Sequence, residues 1–111
     1  MANVLEVTKE TFEGEVLQYA VPVLVDLYDP WCGPCRLMGP VLEQVAGLAG
    51  DRVKIVQINT DEQPELAAAF GVRSIPMLAL VHGSKVIDTR VGFTPAKSVL
   101  AMIDAAAPLS V

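Results

Sequence analysis

Cysteine is scarce in these 111 residues: there are two, Cys32 and Cys35, together with a single histidine, His82. A structural zinc site needs four Cys or His ligands, so metal would require a dimer and is a poor explanation for the pair. A bond between residues three positions apart closes a tiny loop and removes little unfolded-state entropy, which also argues against a stapling role. No stretch approaches the ~18 consecutive apolar residues of a membrane helix, although 52% of the chain is hydrophobic. That balance predicts a soluble globular protein with no membrane partner. Residues 1–7 show neither a basic stretch nor an uninterrupted apolar run, so no secretory leader is expected and the expected location is cytoplasmic. Lys and Arg number 8 against 13 Asp and Glu, for a net charge of -5. Nucleic-acid binding needs clustered cations, and here they are scattered, so no nucleic-acid partner is expected.

The length suits one domain with one core, residues 1–111. Residues 21–28, with Val23-Leu24-Val25 before Asp26 and Leu27 after it, read as a strand apolar on both faces, which suits the interior of a sheet. Residues 34–49 carry Leu37, Met38, Val41, Leu42, Val45, Ala46 and Leu48 at helical spacing, with Gly50 placed to stop the helix. Pro40 inside it predicts a bend. A second strand is predicted over 53–59, a helix over 61–70 ended by Gly71, and a hairpin of strands 77–81 and 86–91 around Gly83-Ser84. Thr94-Pro95 then reads as the N-cap and first position of a last helix, which Pro108 ends. At the start, 3–7 reads as an edge strand, and 8–17 as a helix capped by Thr8 with Phe12 and Val16 facing inward. The order is βαβαβαββα: an α/β fold with a central mixed five-stranded sheet flanked by four helices.

The chemistry points to Trp31-Cys32-Gly33-Pro34-Cys35, where the apolar strand gives way to the long helix. Unpaired N–H groups and the positive end of the helix dipole favour a thiolate at Cys32, the expected nucleophile. Cys35 falls one turn along on the same face and is expected to be more deeply buried, as the resolving thiol. Gly33 allows a partner's backbone close approach, and Pro34 fixes the first turn without losing a hydrogen bond. Asp26, in an otherwise apolar strand, is the natural proton acceptor for Cys35 because burial raises a carboxyl pKa. The alternative is a carboxylate satisfied by local hydrogen bonds, without a catalytic role. Two inert core cysteines are a weaker reading, since CxxC in a βαβ setting is a strong redox signal.

Those five residues, with Asp26 upstream, Pro40 in the helix, Ile75-Pro76 and Val91-Gly92, resemble the thioredoxin family over nearly the whole chain. The resemblance implies the thioredoxin fold and general protein-disulfide reduction by a monomer with no cofactor. It also implies disulfide-containing protein substrates and recharging by a thioredoxin reductase. It further implies a cis peptide bond before Pro76 beside the sulfurs, and a substrate-docking surface framed by Trp31, Gly33, Pro34, Ile75, Pro76 and Gly92. From sequence alone Ile-Pro is far more often trans. Phe93 either widens that surface or belongs to the core.

Four positions depart from the family pattern. Tyr28 stands where tryptophan is common, and Asp29 where alanine is common. An acid at 29 opposes thiolate formation at Cys32 unless solvent screens it. Gln57 replaces a lysine that often accompanies the buried aspartate, which predicts a further rise in the Asp26 pKa. Met77 replaces threonine after the proline and puts a flexible apolar group in place of a hydroxyl, with an expected effect on substrate preference. His82 reads as a surface turn residue, and Glu6, Glu10, Glu13 and Glu15 as a solvated helix face. A scaffold subunit that borrows the fold is the competing function, and a dedicated oxidant or isomerase a third.

Overall fold

The structure, a computed structural model, describes residues 4–106. Five strands form one mixed sheet: β1 (Leu5–Glu6), β2 (Val23–Tyr28), β3 (Lys54–Asn59), β4 (Met77–His82) and β5 (Lys85–Val91). Their spatial order is β1-β3-β2-β4-β5. β2 lies in the middle, parallel to β3 and antiparallel to β4, so its apolar residues are covered on both faces as expected. Among the described residues, three α-helices, α1 (Gly33–Ala49), α2 (Pro64–Ala69) and α3 (Ala96–Ala106), and a π-helical turn over Glu13–Leu17 pack on the sheet.

The two-residue alternation of the strands divides the core. Leu24, Ile55, Leu78 and Leu80 face α1 and α3, while Val23, Val25, Leu27, Val56, Ile58, Ala79 and Val81 face the π-helical turn and α2. Asp26 shares the parity of Leu24 and so projects toward α1, the helix that Cys32 caps and that contains Cys35. α1 buries Cys35, Met38, Leu42, Val45 and Ala49. Leu37 and Leu48 flank that stripe and are exposed, at 61% and 59%, which corrects their expected place on the apolar face. The helix runs through Pro40 and stops at Gly50, whose φ of 57° is left-handed and whose N–H bonds the Ala46 carbonyl. In the hairpin, Gly83 and Ser84 both have positive φ, as a two-residue turn of the primed type requires.

Other expectations at helix starts are corrected. The predicted helix 8–17 is a turn followed by a π-helical segment, with the Gln18 N–H bonded five residues back to the Glu13 carbonyl. Thr8 does not cap it. Instead the Thr8 N–H donates to Thr11 Oγ1, and the Thr11 hydroxyl donates to the Thr8 carbonyl. Val16 is buried and Phe12 packs edge-on against Phe70, as expected for inward residues. α2 begins at Pro64, not 61, because Asn59 Oδ1 accepts the amides of Asp61 and Glu62 and folds them into a turn. Thr94 is not the side-chain cap of α3. Its hydroxyl donates to the Gly92 carbonyl, and the Pro95 carbonyl accepts the Ser98 and Val99 amides. Glu6 lies in β1 rather than on a helix. Asn3 of the first predicted strand and Pro108 lie outside the described residues.

Leu78 is fully buried between β2 and β5 under the helices, so Leu78→Ala should cost about 2–5 kcal/mol in urea denaturation. Leu37→Ala should stay within about 0.5 kcal/mol; a comparable loss for both would contradict the assignment of the buried face of α1.

Candidate active site

β2 delivers the chain to the site through a short, braced loop. Asp29 Oδ1 accepts the Trp31 amide at 2.7 Å, and the Asp29 carbonyl accepts the Cys32 amide at 3.1 Å. Arg36, one turn into α1, donates from Nη2 to the Pro30 carbonyl at 3.2 Å. Asp29 therefore acts here as a turn former, its carboxylate turned toward backbone N–H.

Cys32 is the N-cap of α1, with extended backbone (φ -88°, ψ 116°), and Pro34 occupies the first helical turn. The Cys35 amide donates to Cys32 Sγ at 3.2 Å. A sulfur thus takes the capping position usually filled by Ser or Asp oxygen, where orphan amides and the helix dipole converge. Cys32 and Cys35 are joined as a disulfide, with Cα atoms 5.2 Å apart. Cys35 is 7% exposed, and Cys32 is more open.

Around the sulfurs, the Ile75–Pro76 bond is cis, and the Ile75 carbonyl oxygen lies 3.9 Å from Cys32 Sγ. The Gly92 amide donates to the Pro76 carbonyl at 2.7 Å, with Gly92 at a positive φ of 87° that a side chain would strain. Trp31 is 82% exposed, Phe93 is 48% exposed and not core, and Gly33 and Pro34 are exposed too. Pro76 itself is buried, so what this segment presents near the sulfurs is the Ile75 backbone rather than the proline ring. Met77 is also buried, in the core on the π-helix side of the sheet. Any effect of Met77 on substrate preference would therefore act through packing behind Pro76 rather than through an exposed side chain.

Behind the disulfide lies a cleft of about 350 Å³ lined by Asp26, Tyr28, Asp29, Pro30, Cys35, Arg36, Gly39 and Gln57. It brings Asp26 and Cys35 to one space. Asp26 is 3% exposed, and its Oδ1 has no hydrogen-bond partner among the described residues. Local hydrogen bonding therefore does not explain this oxygen. Burial first, and the Glu6 charge second, raise the Asp26 carboxyl from 3.8 to about 7. Gln57 sits directly opposite Asp26 in the sheet and brings no counter-charge. No local motif marks the place of Glu6 in the row with Asp26 or the brace from Arg36; both arise only from the folded arrangement. Among the described residues no group of three or more His, Cys, Asp or Glu could hold a metal ion, and no helix is long and apolar enough to cross a membrane.

An α/β sheet that places a CxxC disulfide at a helix N-terminus, beside a cis-proline and above a buried carboxyl, defines a thiol–disulfide oxidoreductase. The thioredoxin family model matches residues 3–105. Thioredoxin 1 of Synechococcus elongatus is 43% identical over 104 residues, covering 94% of this chain and 97% of that protein. Thioredoxin 1 of Nostoc sp. is 45% identical over 95 residues, covering 86% and 89%. The chloroplastic M-type thioredoxin of Chlamydomonas reinhardtii is 42% identical over 98 residues, covering 88% and 70%. The chain belongs to the thioredoxin family.

The Asp26 carboxyl also predicts a pH signature. Between pH 3.8 and about 7 the folded protein holds a proton that the unfolded chain has released. Stability due to this group therefore falls as pH rises through that window and levels off above it, by on the order of 4 kcal/mol at most. Urea denaturation from pH 4 to 8 should show Asp26→Asn gaining stability relative to the parent as pH rises. Parallel curves for the two proteins would contradict the raised carboxyl.

Proposed function

We propose that this thiol–disulfide oxidoreductase is a general protein-disulfide reductase, with Cys32 as nucleophile, Cys35 as resolving thiol and Asp26 as the buried acid/base. The observation that carries the reading is Cys32 Sγ at the α1 N-terminus, within reach of Cys35, with Asp26 opening onto the same cleft. In the reduced protein the Cys32 thiolate attacks one sulfur of a substrate disulfide, forms a mixed disulfide and expels the other sulfur as a thiolate. Cys35 then gives its proton to the Asp26 carboxylate. The resulting thiolate attacks Cys32 Sγ, closes the Cys32–Cys35 disulfide and releases the second substrate thiolate. Two electrons pass from the protein dithiol to the substrate, and a thioredoxin reductase returns them.

A carboxyl titrating at about 7 suits this task, since near neutral pH it is present in both accepting and donating forms. Trp31, Gly33, Pro34, the Ile75 backbone at Pro76, and Gly92 frame the docking surface, supported by the exposure of Trp31 and by the Ile75 carbonyl facing Cys32. An extended substrate segment would pair with that backbone. We place the protein as a monomeric electron carrier in the cytoplasm, a compartment that keeps thiols reduced and suits a reductant.

In an insulin reduction assay with dithiothreitol, the parent should speed precipitation of the reduced chains and Cys32→Ser should lose that acceleration. Equal rates would count against catalysis. Cys35→Ser should accumulate mixed disulfides that reductant releases, and Asp26→Asn should slow release of the mixed disulfide, most clearly near pH 7. Release by Asp26→Asn at the parent's rate across neutral pH would remove Asp26 from the mechanism.

A further inference from the structure

Glu6 of β1 pairs with Gln57 of β3, and Gln57 pairs with Asp26 of β2. Directly paired residues project from the same face of a sheet, so these three side chains form one row. Strands lie about 4.8 Å apart, which puts Glu6 roughly 10 Å from Asp26 across an uncharged glutamine. Tyr28, two residues beyond Asp26 on β2, also lines the cleft and donates its O–H to Glu6 Oε1. Burial, and then this hydrogen bond, hold the phenol proton well above tyrosine's ordinary range, so Tyr28 remains a donor throughout neutral pH. The lock ties an exposed carboxylate on the edge strand to the rim of the cleft.

We propose that Glu6, held by the Tyr28 hydroxyl, is a positioning residue that sets the protonation of Asp26 and thereby the pH at which Cys35 resolves the mixed disulfide. The second half of this proposal rests on Asp26 as the proton acceptor for Cys35. The other groups around Asp26 leave Glu6 this role. From α1 the cleft receives Cys35, tied in the disulfide, and Arg36, whose Nη2 is engaged by the Pro30 carbonyl. The loop after β2 contributes Asp29, whose Oδ1 is engaged by the Trp31 amide. Glu62 lies close enough to act on Tyr28. β3 and β4 place uncharged Gln57 and Leu78 opposite Asp26. Among these groups, the charge of Glu6 is the one that joins burial in raising the Asp26 carboxyl. Where family members commonly carry a lysine next to the aspartate, this chain has a neutral glutamine with an acid beyond it, so along this row the sheet brings a negative charge instead of a positive one.

The test is a titration of the Asp26 carboxyl by ¹³C NMR in the oxidised full-length protein, comparing parent, Glu6→Gln and Glu6→Lys, with Glu43→Gln on the exposed side of α1 as the charge control. The midpoint should fall by about half a pH unit in Glu6→Gln and further in Glu6→Lys, while the control stays with the parent. Added salt should draw the parent toward Glu6→Gln, because the Glu6 charge is open to screening. In a Tyr28→Phe background the Glu6→Gln step should shrink. In stopped-flow release of the mixed disulfide, the acid limb should move to lower pH along the same series.

Equal midpoints in the parent, Gln and Lys proteins would overturn the proposal. An undiminished Glu6→Gln step without the Tyr28 hydroxyl would overturn the lock. Graded midpoints with an unmoved acid limb would overturn the link to resolution. Failure of the Asp26 reading shows up separately, as Asp26→Asn releasing substrate at the parent's rate while the Glu6 series still shifts the midpoint.

Discussion

The site depends on a single contact, the Cys35 amide donating to Cys32 Sγ at the first turn of α1. Because Cys32 is the cap, its sulfur receives what helix N-termini ordinarily offer to an oxygen or an anion: unpaired N–H groups aligned with the dipole. A thiolate at such a position gains more than a thiol does, which is the physical basis of the proposed role of Cys32. The rest of the structure serves that contact. The Asp29 turn and the Arg36 brace set where the helix begins, and burial of Met38, Leu42 and Val45 holds α1 against the sheet.

The same sheet supplies a group of opposite character. Asp26 lies on the face that α1 covers, with one oxygen lacking any protein partner among the described residues, and its burial opposes ionisation at neutral pH. A buried carboxyl is costly for folding above its raised pKa. That cost falls where Cys35 opens onto the same cleft, which is where the proposed mechanism moves a proton. The thiolate-favouring helix end and the carboxylate-opposing core are two halves of one arrangement, joined by the turn between Tyr28 and Cys32.

Much of this was legible because it is local. The uninterrupted apolar run of β2 marked a central strand, the stripe through Met38, Leu42 and Val45 marked α1, and Gly50 and Gly71 stand at positive φ where helices were expected to stop. The CxxC at the strand-to-helix junction carried its chemistry in its position. Features that depend on competing local hydrogen bonds are not legible in this way: Thr8 and Thr94 have the right chemistry for caps, but the Thr8 hydroxyl pairs with Thr11 Oγ1 and the Thr94 hydroxyl donates to the Gly92 carbonyl. Asn59 likewise delayed α2 by folding Asp61 and Glu62 into a turn. The row Glu6–Gln57–Asp26 was out of reach for a different reason. Its members lie on three strands far apart in the chain, and only the register of parallel pairing aligns them. Glu6, counted with nearby acids as a solvated helix face, became a site neighbour through that register alone.

The central claim is that backbone geometry ionises Cys32. The most direct measurement is the rate of iodoacetamide alkylation of Cys32 in the reduced protein as a function of pH, beside an unstructured peptide with the residues 31–35 sequence. The thiolate at Cys32 should persist to lower pH than in the peptide, giving faster alkylation at and below neutral pH. Matching rate–pH curves for protein and peptide would contradict the account.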